Sequence, residues 1–103
     1  MFLGVVMSVK ALLTIDFEDG VTSIQKNVFN DELEELQWIK IPELNSGWEV
    51  SFNDMISRFL ALDTAKADVA KAAGKAKISK YKLAIQFGQE WPVRFTKQKT
   101  LQK

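Results

Sequence analysis

Three carboxylates lie close together early in this chain of 103 residues: Asp16, Glu18 and Asp19. Side chains on an extended backbone repeat every two residues, so Asp16 and Glu18 share a face. Carboxylates at that separation can share a hard divalent cation such as magnesium or manganese. Asp16, Glu18 and Asp19 are therefore the candidate catalytic residues, and Asp16 is the candidate metal ligand. The opposing reading is a solvated strand end whose aspartate shapes a turn.

A second cluster is basic. Lys66, Lys71, Lys75, Lys77, Lys80 and Lys82 follow one another closely, and Arg94, Lys97 and Lys99 extend the set toward the C-terminus. A lysine stripe can neutralise phosphates or an acidic protein surface, with strong salt dependence. Lys71, Lys75, Lys77, Lys80, Lys82, Arg94, Lys97 and Lys99 are the candidate residues for a nucleic acid or an acidic partner. A solvated helix face is the plain alternative. Arginine is confined to Arg58 and Arg94, which argues against reading bases, since the commonest specific contact is a bidentate cation on guanine.

Trp38, Trp48, Trp91, Phe52 and Phe95 could stack bases if they were exposed. Trp48 and Phe52 alternate with polar residues, however, and that pattern points to a core. Trp91, beside Pro92, and Phe95 are the candidate interface residues.

The absences narrow the chemistry. Without histidine, Ser-His-Asp catalysis and the usual base near neutral pH are excluded. Without cysteine there are no disulfides and no thiolate metal sites. No dinucleotide fingerprint, phosphate-binding loop or nucleophile elbow occurs, so no small-molecule cofactor is expected.

The net charge of +1 conceals an asymmetry. Residues 1–65 carry four Lys/Arg against eleven Asp/Glu, a net −7; residues 66–103 carry ten against two, a net +8. The two halves can interleave in the fold, present a basic face to a charged partner, or associate head to tail between copies.

These residues need elements to hold them. Val9, Ala11, Leu13, Ile15 and Phe17 alternate onto one face of a strand over 9–17, and Leu12 on the other face marks it as central. After Glu18-Asp19-Gly20 two continuations compete. One is a hairpin into a strand over 21–29. The other, favoured, is a helix capped by Asp19 and running to about Gln37, with Val21, Ile24, Val28, Phe29, Leu33 and Leu36 turned inward and an interruption at Asn30-Asp31. Trp38 to Ile41 resumes period two, and Pro42 marks a strand end or edge. Leu44 to Gly47 is turn chemistry, and Trp48 to Phe52 completes a hairpin. Residues 53–62 fit helix, strand or connector. Asp63 can cap a helix over Thr64–Ala73 that Gly74 would stop. Tyr81 to Phe87 alternates cleanly as a strand ended by Gly88, and Glu90 to Phe95 is extended.

The order β-α-β-β-α-β predicts a single α+β domain of ferredoxin-like type, one antiparallel sheet with two helices packed on one face. Both helices then share that face, which sets an acidic helix beside a basic one. Residues 1–7 are apolar but far short of the ~20 that span a bilayer; they read as an appended or frayed N-terminus, and 96–103 as a flexible basic tail. No secretory signal is recognised. A cytoplasmic protein that does not enter a membrane is expected.

The run Leu12-Leu13-Thr14-Ile15-Asp16-Phe17, together with the order of elements over 8–90, resembles the small ferredoxin-like endonucleases: the CRISPR-associated dimeric endonuclease family and the type V antitoxin endoribonucleases. That resemblance implies a dimer acting on nucleic acid, with Asp16 binding magnesium or manganese across the dimer axis. The reading that asks least of the residues is different. It is a non-catalytic binding or regulatory protein acting through charged surfaces as a dimer or higher oligomer, on a protein or a nucleic acid. Accessory proteins of phage or mobile elements fit this size.

Overall fold

In the computed structural model, residues 9–42, 44, 46–52 and 56–91 are described. The expected N-terminal appendage, the basic tail, Phe95 and the candidate cations Arg94, Lys97 and Lys99 lie outside them. The first strand, β1, spans Lys10–Phe17 and buries Ala11, Leu13 and Ile15 on one side. Ala11, Leu13, Ile15 and Phe17 fall at every second position, so one face turns to the core, while Leu12 lies on the other.

Helix α1 follows, Ser23–Glu35. The expected cap was Asp19, but Thr22 holds that position. Its hydroxyl accepts from the Gln25 N–H, and the Gln25 side chain accepts from the Thr22 N–H. This reciprocal pair satisfies two N–H groups that the helix start would leave bare. Asp19-Gly20 makes a turn instead, with Gly20 at φ 95°, where a Cβ would be strained. The strand alternative over 21–29 is thereby excluded. Asn30-Asp31 causes no break, and the buried stripe is narrower than expected. Phe29, Glu32 and Leu33 are buried, while Ile24 is 75% exposed.

A short strand β2 (Ile39–Lys40) and strand β3 (Gly47–Ser51) form the expected hairpin. Helix α2, Arg58–Ala76, is longer than the sequence suggested. Ser57, not Asp63, caps it, its hydroxyl accepting from the Leu60 N–H at 3.0 Å. Gly74 does not stop it. The buried face of Ala61, Ala65, Val69, Ala72, Ala73 and Ala76 runs on past that glycine. Both helices end alike, on a left-handed residue that is not glycine: Gln37 (φ 78°) after α1 and Lys77 (φ 59°) after α2. In each, the next amide reaches back to a carbonyl of the last turn, Trp38 N–H to Leu33 O and Ile78 N–H to Ala73 O.

Strand β4, Tyr81–Gly88, closes the fold. The sheet order is β2-β3-β1-β4, with each neighbouring pair antiparallel. This is the ferredoxin-like βαββαβ arrangement, an α+β fold with the two helices packed on one face of the sheet. The two helices run antiparallel, since Gln25 reaches the Ala76 and Lys77 carbonyls while Glu32 meets Lys71 and Lys75. Among the described residues no helix is long and apolar enough to cross a membrane.

Candidate functional site

The end of β1 and the start of β4 come together because the two strands pair without a bulge from Lys10↔Gly88 to Phe17↔Tyr81. That register sets Asp16 directly opposite Lys82 on the face away from the helices. Opposite residues of an antiparallel pair have Cβ atoms ~5 Å apart, close enough for unlike charges to attract. The turn after β1 adds Glu18 and Asp19, and the segment after α2 adds Ser79 and Lys80. Together with Phe17 and Tyr81 these residues line one open groove. Asp16, Glu18, Asp19, Lys80 and Lys82 are all exposed. Asp16 also borders a smaller hollow with Lys26 and Asn30. The groove is therefore mixed in sign, with three carboxylates on the β1 side and two ammonium groups on the β4 side. The sequence separated these charges by more than sixty residues, and the β1–β4 register joins them.

Among the described residues no three acidic side chains come together as a metal-binding group. Asp16, Glu18 and Asp19 line a common rim without forming a coordination cage.

The candidate cations divide into groups. Lys71 and Lys75 reach from α2 to Glu32 on α1, with Nζ to carboxylate distances of 3.7 and 3.4 Å. Glu32 is buried while the lysine side chains remain more than half exposed. The acidic and basic helices expected from the charge split do meet at this point. Lys80 and Lys82 stand in the groove, and Lys77 occupies the end of α2. The lysines do not form one uninterrupted stripe.

The aromatic residues are mostly core. Trp38 and Trp48 are buried, and the Trp38 Nε1–H donates to Asp68 Oδ2 at 2.9 Å. Phe52 packs edge-on against Trp38. Trp91 is the exposed tryptophan, 43% accessible, with Lys10 Nζ 5.3 Å from its ring. On β1 and β4 the sheet face away from the helices presents Leu12, Thr14, Ala84 and Gln86, no aromatic platform. Sequence reasoning missed Glu49, which is buried on the outer side of β3 between Leu12 and Ile39. It alternates correctly with Trp48 and Val50, so the pattern alone marks it as a solvent residue.

No protein-family model, curated protein or solved structure matches the chain.

Proposed function

We propose that the chain is a small non-catalytic binding and regulatory protein that acts as an oligomer and meets a protein partner through its charged groove. The observation that carries this reading is that Asp16, Glu18 and Asp19 at the end of β1 stand across one open groove from Lys80 and Lys82 at the start of β4. A mixed-sign surface complements another mixed-sign protein surface and gives register and specificity to the encounter. It suits a polyanion poorly, because three carboxylates repel each phosphate that the two lysines attract.

The test uses labelled single-stranded RNA and duplex DNA, read by fluorescence anisotropy at about 50 and about 200 mM salt. The native chain is expected to bind weakly. The triple variant Asp16→Asn/Glu18→Gln/Asp19→Asn is expected to bind on the order of tenfold more tightly at the lower salt. Tight binding by the native chain, falling on the order of a thousandfold between the two salts, would instead make it a nucleic-acid protein.

The position of Asp16 at a strand end, exposed on the groove, keeps a second reading in view: a magnesium- or manganese-dependent nuclease of ferredoxin-like type. Incubating the chain with RNA and DNA in each metal separates the two. Cleavage that Asp16→Asn abolishes would replace the binding proposal.

A further inference from the structure

Strand β4 is an eight-residue edge. One side pairs with β1 along its whole length, and among the described residues no strand pairs with the other. Exposed edges are normally blunted by charged side chains, lysine above all, by proline, by a bulge, by short length or by inward-pointing charge. Of these devices β4 carries only a single lysine. It contains no proline, its register with β1 is unbroken, and its one charge, Lys82, points away from the helices. Its helix-side row of Tyr81, Leu83, Ile85 and Phe87 is only half-buried, whereas Ala11, Leu13 and Ile15 beside it on β1 are buried. The chain also turns off this edge. After Gly88 it bends at Gln89-Glu90, and the Trp91 ring comes to lie by Lys10 on β1.

We infer that two copies of the chain join β4 to β4, antiparallel, about a two-fold axis at Ala84, making one continuous sheet from two. This rests on the oligomeric part of the proposed function and names the surface that part uses. A two-fold axis relating antiparallel edges stands perpendicular to the sheet, so it pairs residues of the same face. Centred on Ala84, the pairing sets Tyr81 opposite Phe87 and Leu83 opposite Ile85. Every apolar residue of the half-buried row then gains a cross-strand partner. On the other face Lys82 falls opposite Gln86, and the small Ala84 meets itself on the axis. Centring on Lys82 would set two ammonium groups face to face. Centring on Leu83 or Ile85 would leave Phe87 or Tyr81 outside the paired apolar row. Main-chain hydrogen bonds supply the attraction and the side-chain row the register, as in strand addition generally.

Because the chain has no cysteine, engineered thiols report the register directly. Ala84, Lys82 and Gln86 are all exposed, so replacing them leaves the core intact. Opposite residues have Cα atoms ~4.5–5.5 Å apart, within disulfide reach. Under mild oxidation the full chain carrying Ala84→Cys is expected to form a covalent dimer. Lys82→Cys and Gln86→Cys are each expected to cross-link at least tenfold more slowly alone than in an equimolar mixture. Failure of Ala84→Cys to link, or equal rates for the single variants and their mixture, would overturn the inference. Sedimentation of the unmodified chain separates the failures. A dimer without the Ala84 link contradicts this surface but leaves an oligomer standing. A monomer at all concentrations contradicts both.

Discussion

β1 and β4 make an instructive pair. Both are eight residues long, both alternate apolar with polar, and they pair one to one along their length. Yet Leu13 is 0% exposed, while Ile85, its direct partner in the register, is only half-buried. The difference comes from position in the sheet. β1 has a strand on each side and the helices above, whereas β4, among the described residues, has a neighbour on one side only. Alternation therefore fixes which face a residue takes, and topology decides how much of that face is removed from water. The same two strands also bring the acids of the first half of the chain against lysines of the second.

The largest expected effect tests this contrast. Leu13→Ala removes a fully buried side chain and should cost about 2–5 kcal/mol, read as a lower urea midpoint. Ile85→Ala should cost about 1–2 kcal/mol at low micromolar concentration. Equal losses would remove the distinction between the strands.

A smaller loss is expected where the helix layer anchors the β2 side. Trp38→Phe deletes the donor to Asp68 and leaves a partly buried carboxylate short of a partner, a cost of about 1–3 kcal/mol. Adding Asp68→Asn to that variant should recover part of the loss, because a neutral amide is less costly to leave unpaired. No recovery would show that indole packing, and not the hydrogen bond, carries the effect.

The smallest effect concerns the contact between the helices. Glu32→Gln should cost about 1 kcal/mol, since Lys71 and Lys75 remain mostly in water and are screened there. The loss should shrink as salt rises. A loss that ignores salt would assign Glu32 a packing role.

How far these features were legible in the residues varies with their physical origin. The faces of β1 and β4 were, because large apolar residues at every second position leave one assignment despite Leu12 and Ala84 on the other face. The ferredoxin-like order followed from counting elements. The ends of α2 were not legible. Phe59 and Leu60 are 73% and 55% exposed, so the first turn of that helix breaks the apolar periodicity that would reveal it. Gly74 looked like a stop because glycine favours the left-handed turn, but Lys77 adopts that conformation instead. For α1, Asp19 and Thr22 both have capping side chains, and the reciprocal partner Gln25 is what selects Thr22. The groove was half legible. Its acids and its lysines were each recognised, but their meeting depends on the β1–β4 register, a contact between distant parts of the chain that no local pattern encodes. The buried position of Glu49 was likewise invisible to alternation.

The central claim is that β4, unlike β1, still has an edge to give to a second copy. Amide hydrogen exchange of the full chain at low and high protein concentration tests it most directly. Amides of β1 should be equally protected at both concentrations. Alternate amides of β4, those directed away from β1, should exchange rapidly when dilute and become protected when concentrated. β4 amides whose protection does not change with concentration would contradict the account.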